Sequence, residues 1–234
     1  MNGIWGILAD AHGHGPALEK GVRILRSFGA KHFFFLGDCV GYIPSLSALD
    51  YLIDLGSSVK CVRGNHEKML LEGIDYQRDA IYKLHAFKSM LETRHLEYIL
   101  SWHSRIAIRN DFMDFSFMHG GPIDNVSQYI FADTDLSKQH FSHSINFIAN
   151  THRPFIREHE GKRIINVGSC GLPRDDGRFG SAVLFDSETK SSRILRFNIE
   201  SETKHLLKLT SNVHESVIDL FKRKSSEMVG EIVC

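Results

Sequence analysis

Five short polar motifs in this chain carry residue types that bind cations: Asp10-Ala11-His12, Gly37-Asp38, Arg63-Gly64-Asn65-His66-Glu67, His119-Gly120-Gly121 and Asn150-Thr151-His152. In an extended segment alternate residues project to the same side, so Asp10 and His12 present a carboxylate and an imidazole to a common ion. Gly37 lets the backbone approach closely, while the carboxylate of Asp38 reaches the same ion or bridges to another. Asn65 adds an amide oxygen, His66 a further imidazole and Glu67 an acid. Imidazole with carboxylate suits Mn, Fe or Zn, and two such ions about 3.5–4 Å apart clamp the oxygens of an in-line displacement. Metal binding lowers the pKa of water from about 15.7 toward roughly 7, so the expected nucleophile is hydroxide and no protein nucleophile is needed. Taken singly, Asp10-Ala11-His12 or His119-Gly120-Gly121 reads more readily as a turn or cap. What points to a site is their occurrence together, each where an apolar run ends.

Those apolar runs define the frame. Residues 3–9, 32–36 and 58–62 read as strands, with helices over 16–28 and 45–55 between them, a βαβαβ pattern of parallel strands whose carboxyl ends would hold the site. Leu18, Val22, Leu25 and Phe28 share one helical face, entered at Pro16 and left at Gly29. Phe33-Phe34-Phe35 reads as a strand buried on both faces. Residues 66–103 carry a helical pattern with no strong internal breaker, expected to be a helical excursion over the site. Strands are expected at 105–109, 113–118, 145–149, 164–167, 181–185 and 193–199, separated by Asn-Asp, Gly-Gly, Glu-Gly and Asp-Ser turns, giving a second sheet packed on the first. The expected division is one domain over residues 1–200 and an extension over 201–234, partly helical at 213–222 and poorly ordered at its end.

Composition narrows the class. Lys plus Arg and Asp plus Glu balance at 28 each, so no global basic field exists to bind nucleic acid or an anionic membrane, and phosphate chemistry must rely on a local site. The N-terminal run has no basic n-region and breaks at Asp10, which fits neither a signal peptide nor a membrane span, and the expected location is cytoplasmic. Cys39, Cys61, Cys170 and Cys234 are scattered and read as reduced thiols. The 14 histidines direct attention to metal or phosphate chemistry. His32, His85, His95, His103, His140, His143, His159, His205 and His214 are read as surface or helix-face residues. The turn at Gly168-Ser169-Cys170-Gly171 is read as the end of a strand.

In this order the motifs resemble the calcineurin-like metallophosphoesterase family, whose signature runs D-x-H, G-D, G-N-H-[DE], H-G and G-H-x-H. The resemblance covers residues 7 to about 185. Through Gly37-Asp38-Cys39-Val40-Gly41-Tyr42, Thr151-His152-Arg153-Pro154 and Ile165-Asn166-Val167-Gly168-Ser169 it is greatest to the small bacterial phosphodiesterases. Serine/threonine protein phosphatases share the Asn65 and His119 motifs, but carry Asp-Arg-Gly where this chain has Gly41-Tyr42-Ile43.

The resemblance implies an α/β fold, a four-layer sandwich of two mixed sheets face to face flanked by helices. It implies a first ion on Asp10, His12, Asp38 and His152 and a second on Asp38, Asn65 and His119, with Asp38 bridging. Manganese is the favoured metal, with Fe, Zn, Ni or Co as alternatives. His66, oriented by Glu67 or another acid, would protonate the leaving alkoxide or stabilise phosphoryl charge, and Asp38 and His66 form the catalytic pair. Arg63 or Arg153 would meet phosphate oxygens or serve as structural partners.

Two positions depart from the family. Asn150 stands where a histidine normally binds the second ion, and its harder, weaker amide oxygen should loosen that site or favour Mn or Mg over Zn. His14 stands where asparagine is usual and is expected to touch substrate phosphate. The expected substrate is a small phosphoester, with a nucleotide in view, and specificity is expected from residues 74–103 and 122–133. The alternatives are a phosphomonoesterase, a protein phosphatase, or a binding scaffold like the retromer subunit of this fold, for which Asn150 would mark loss of catalysis.

Overall fold

The computed structural model describes residues 3–73, 76–110 and 112–234; Ile74, where the expected specificity segment begins, and Asp111 of the Asn-Asp turn lie outside the described residues. One sheet contains β1 (Ile4–Leu8), β2 (His32–Phe35), β3 (Val59–Cys61), β9 (Phe179–Asp186), β10 (Ser192–Asn198) and β11 (Glu231–Val233) in the order β11-β10-β9-β1-β2-β3. The other contains β4 (Arg105–Arg109), β5 (Asp114–Met118), β6 (Ile145–Ile148), β7 (Phe155–His159) and β8 (Lys162–Asn166) in the order β4-β5-β6-β8-β7. Both sheets are mixed: β1, β2 and β3 run parallel, as do β5, β6 and β8, while β9 is antiparallel to both β1 and β10, β11 is parallel to β10, and β4 and β7 are antiparallel to β5 and β8. Helices α1 (Gly15–Ser27) and α2 (Ser47–Leu55) complete the expected βαβαβ unit.

The sheets meet over an aromatic core. Strand alternation divides the three phenylalanines of β2, sending Phe34 between the sheets with Trp5, Phe117, Phe147 and Phe185, and Phe33 and Phe35 toward Leu18, Leu25 and Leu49 of the helices. Phe34 stacks on Phe117 at 3.9 Å between ring centroids, and Trp5 lies 5.3–5.6 Å from Phe34, Phe115 and Phe185. Truncating Trp5 to alanine would cost about 3–5 kcal/mol. On the outer face of the second sheet, Met118, Ile148 and Ile164 pack with Ile130, Leu136 and Phe141 of the connection between β5 and β6, which contains a single 3₁₀ turn at Leu136–Lys138.

The helical excursion differs from the expected unbroken pattern. It is four short helices, α3 (Asn65–Glu72), α4 (Tyr76–Tyr82), α5 (Leu84–Met90) and α6 (Thr93–Leu100). Gly73 and Lys83 take positive φ, and the Tyr82 carbonyl accepts from Tyr42 N (2.6 Å), so tertiary bonds replace the helical ladder there. Strand β7 escaped the sequence pattern because Arg157, Glu158 and His159 break its apolar alternation after Phe155 and Ile156, yet the Glu160-Gly161 turn joins it to β8 with positive φ at both positions, the geometry of a tight hairpin.

The last segment also departs from expectation. It holds α7 (Glu200–Leu209) as well as α8 (Glu215–Phe221), and its end is a strand rather than a frayed tail, with Ile232 of β11 opposite Arg196 of β10. No helix among the described residues is long and apolar enough to cross a membrane.

Candidate metal centre

All five motifs arrive at one edge of the sandwich, beyond the carboxyl ends of β1, β2, β3, β5 and β6. The loops after β1 and β2 are joined by backbone bonds from Asp10 N to Gly37 O (3.0 Å), His12 N to Asp38 O (3.0 Å) and Gly13 N to Cys39 O (2.7 Å). Glu67 extends this lattice: its buried carboxylate accepts from Asp38 N (2.8 Å), Cys39 N (2.7 Å), Val40 N (3.2 Å) and Gly64 N (2.9 Å). Gly64 is needed for close approach, since a Cβ there would lie 2.1 Å from Asp38 Oδ1. Asp10, His12, Asp38, Tyr42, Asn150 and His152 all hold φ between 48° and 69°. Left-handed backbone is unfavourable for these residue types, and its concentration here marks a place where folding stability yields to side-chain placement.

The three predicted ligand histidines share one arrangement. His12 Nδ1 donates to Val40 O (3.0 Å), His119 Nδ1 to Leu36 O (2.6 Å) and His152 Nδ1 to Leu172 O (2.6 Å). A carbonyl only accepts, so each ring carries its hydrogen on Nδ1 and turns Nε2 inward, the orientation that backbone carbonyls impose on metal-binding imidazoles. His12 Nε2 and His152 Nε2 stand 3.2 Å apart. Burial holds both rings well below their usual pKa, so two lone pairs face each other, an arrangement relieved by a cation. Among the described residues, the two oxygens of Asp10 are buried without a hydrogen-bond partner, with Oδ1 3.7 Å from His152 Nε2, 3.9 Å from His119 Nε2 and 4.0 Å from His12 Nε2.

Asp38 sits between the two halves. Its Oδ1 accepts from His66 N (2.9 Å), while Oδ2 lies 3.4 Å from His119 Nε2, 3.7 Å from His12 Nε2 and 3.9 Å from His66 Nε2. Asn65 Oδ1 is 3.1 Å from His119 Nε2. Burial alone would raise the Asp38 pKa, but the neighbouring His119 ring, by its charge and its hydrogen bond, holds it far below the carboxylate range. Burial would likewise lower His119, and Asp38 and Asp10 overcome it and raise that ring. Without an ion, then, the favoured positive charge of the cluster is a proton on His119. Burial raises Asp10. Opposed shifts on adjacent buried groups characterise reactive and metal-binding sites, where a metal displaces such protons. Orphaned carboxylate oxygens, inward Nε2 atoms and the mix of O and N donors fit divalent transition metals.

Asp10, His12, Asp38, Asn65, His119 and His152 are therefore brought together, with His66 on their rim. Asn150 stands two residues before His152 in the chain, and its Nδ2 donates to Ser127 O (3.2 Å) and Gln128 O (3.3 Å). Two expectations are corrected. Glu67 does not orient His66, because its oxygens are taken by four backbone N–H groups; the His66 ring is held by packing against Tyr42 (4.9 Å), Tyr82 (4.7 Å) and His12 (4.7 Å). His14 does not face substrate, because its Nδ1 caps α1 by accepting from Ala17 N (3.2 Å) and its Nε2 donates to Thr203 Oγ1 of α7 (2.9 Å). Arg63 takes its structural alternative, bonding the Leu100 and Trp102 carbonyls at the end of α6. His95 and His143, read as surface or helix-face residues, are buried against Asp50 and Asp114.

Sequence reasoning passed over Tyr42, Tyr82, Tyr129 and Arg174 as site residues. Tyr42 lay inside a quoted motif, whereas the others come from the helical excursion and from loops whose return to the site no local pattern announces. A cleft of about 350 Å³, lined by Asn65, Lys68, Met69, Arg78, Tyr82 and Tyr129, opens beside the cluster.

Residues 4–190 match the calcineurin-like phosphoesterase superfamily domain. The chain is 27% identical over 212 residues to the uncharacterized protein MJ0912 of Methanocaldococcus jannaschii, covering 81% of this chain and 85% of that one. In fold it is similar to a metallophosphoesterase from Sphaerobacter thermophilus (TM-score 0.76, 22% identity, 95% of this chain and 99% of that one). It is also similar to hypothetical protein PH1004 from Pyrococcus horikoshii OT3 (TM-score 0.79, 19% identity, 93% and 97%). With its ordered motifs folded into one Asp/His cluster, the chain belongs to the calcineurin-like phosphoesterase superfamily.

Proposed function

We propose that the chain is a dinuclear-metal phosphoesterase acting on small phosphodiesters. The observation that carries this reading is the convergence of three inward Nε2 atoms on the orphaned Asp10 carboxylate and on Asp38. Asp10, His12, Asp38 and His152 would hold one ion, and Asp38, Asn65 and His119, with Asn150 Oδ1 alongside, the other. Manganese suits this mixed O and N set, with Fe, Zn, Ni or Co as alternatives. When bound, divalent ions supply Lewis acidity toward phosphoryl oxygens and a water acidic enough to attack at neutral pH.

His66 serves the departing oxygen. Burial keeps its ring neutral, with a pKa of about 4, so it offers a ring N–H hydrogen bond from the rim of the cluster instead of a full positive charge. Tyr82 and Tyr129 give the cleft beside Asn65 flat apolar faces, which suit the base of a nucleotide substrate. Three buried free thiols suit a reducing compartment, and a cytoplasmic site of action is part of the proposal.

Phosphodiester preference rests on the motif resemblance, and parallel kinetics test it. Manganese-loaded protein should turn over bis-p-nitrophenyl phosphate with higher kcat/KM than p-nitrophenyl phosphate. The reverse order assigns a monoesterase, and turnover of phosphoserine peptides above both assigns a protein phosphatase. Asn150 favours a second reading, a catalytically weakened scaffold. That reading gains if the wild-type chain is inactive with every metal while Asn150→His turns over substrate.

A further inference from the structure

Arg174 lies in the loop between β8 and β9, half-buried, and forms no ion pair among the described residues. Its Nη2 donates to Tyr42 Oη (3.0 Å), and the Tyr42 ring stands 4.7 Å from the ring of His12 and 4.9 Å from that of His66. Backbone bonds tie the same loop to the cluster: Arg174 N donates to His152 O (3.4 Å), and Leu172 O receives the Nδ1–H of His152.

The loop is held from behind by two carboxylates that follow Arg174 in the chain. Asp175 forms a bidentate pair with Arg196 of β10, Nη1 to Oδ2 2.5 Å and Nη2 to Oδ1 3.0 Å, the arginine being fully buried. Asp176 pairs with Arg178 (2.7 Å and 2.9 Å) and accepts from Ser225 N (2.9 Å). So much fixed structure around a guanidinium that lacks a carboxylate of its own indicates that its anionic partner comes from outside the chain.

We propose that Arg174, steadied by Tyr42, binds the non-bridging oxygens of the substrate phosphoryl group; this rests on reading the cluster as a phosphoesterase centre. Of the other two arginines considered for that task, Arg63 bonds carbonyls at the end of α6, and Arg153 is exposed and reaches only the Arg174 carbonyl (3.4 Å). The planar fork makes two bonds to one phosphoryl group, and Tyr42 limits the rotamers it must give up to do so.

The test uses the full chain, loaded with manganese, as wild type, Arg174→Gln, Arg174→Lys and Tyr42→Phe. Inorganic phosphate binding is measured by calorimetry beside metal content and bis-p-nitrophenyl phosphate kinetics. Arg174→Gln should weaken phosphate binding about 10–100-fold and raise KM in parallel, at unchanged metal content. Arg174→Lys should fall between, and supplies the answer if the glutamine variant does not fold; Tyr42→Phe should weaken binding less than either. Wild-type phosphate affinity in Arg174→Gln, or weakening that only follows lost metal, overturns the assignment while leaving the phosphoesterase reading in place. A wild-type chain inactive with every metal defeats that reading instead, and the phosphate titration still decides whether Arg174 binds the anion.

Discussion

Replacing Glu67 by alanine should nearly unfold the protein, although Glu67 is neither a ligand nor a core hydrophobe. Its carboxylate accepts four backbone N–H groups, from Asp38, Cys39, Val40 and Gly64, at 2.7–3.2 Å in a fully buried setting. A buried donor left unpaired costs about 1–3 kcal/mol, so four give at least about 4 kcal/mol even at the low end. That is a large share of the about 5–15 kcal/mol by which domains are stable. With a urea slope of about 2–3 kcal/mol per molar for a chain of this size, the midpoint should fall by roughly 1.3–2 M. The assay is urea unfolding of the metal-free protein, with Glu158→Ala as control. Glu158 is exposed and paired with Arg163, and its loss should change stability by less than about 0.5 kcal/mol. Two of the four donors, Asp38 N and Gly64 N, also fix the loops after β2 and β3, so metal affinity should fall with stability. A Glu67→Ala midpoint within about 0.3 M of the control would refute the view that this carboxylate holds the two loops together.

Other outcomes follow from the same geometry. His66→Ala should lose about 10²–10⁴-fold in turnover of alkyl phosphodiesters, whose leaving oxygen needs a donor, and much less with p-nitrophenyl esters; equal losses on both would remove His66 from the leaving-group side. Asn150→His should raise the second ion's affinity by roughly tenfold or more and sacrifice the bonds to Ser127 and Gln128, at about 1–2 kcal/mol of stability. Metal titration with parallel melting separates the two effects. Burial would raise the Asp176 pKa, but the Arg178 side chain and the Ser225 and Arg178 N–H groups outweigh it and hold the carboxyl at about 2. Because the folded value is depressed, its contribution is complete above the unfolded pKa near 3.8 and is lost as pH falls toward about 2. Arg178 is partly solvent-exposed, which trims the contribution to about 1 kcal/mol. The stability gap between wild type and Asp176→Asn should close over that interval, and a gap constant from pH 5 to about pH 2 would be inconsistent with the shift.

The convergence of the Asp/His cluster was legible because each of its residues follows an apolar strand closely, so local order along the chain already encodes a meeting at one sheet edge. The helix faces of α1 and α2 and the two-sided burial of Phe33-Phe34-Phe35 were legible for the same local reason. Long-range partners were not. His14 looks like a loop histidine until Thr203, far along the chain, supplies its hydrogen-bond acceptor, and Glu67 looks like an orienting acid until four amides converge on it. The breaks among α3, α4, α5 and α6 depend on tertiary bonds such as Tyr42 N to Tyr82 O, which helical periodicity does not report. Arg174 stayed hidden because its meaning lies in contacts with Tyr42, and those exist only once β8 and β9 are in place.

The proposed dinuclear centre is tested most directly by an anomalous-scattering map of crystals of metal-stripped protein soaked in manganese. Two peaks are expected, one among Asp10, His12, Asp38 and His152 and the other among Asp38, Asn65 and His119, the second filling at higher manganese because Asn150 stands in for an imidazole. A map with no peak in the cluster at saturating manganese, or with a single peak however high the concentration, would contradict it.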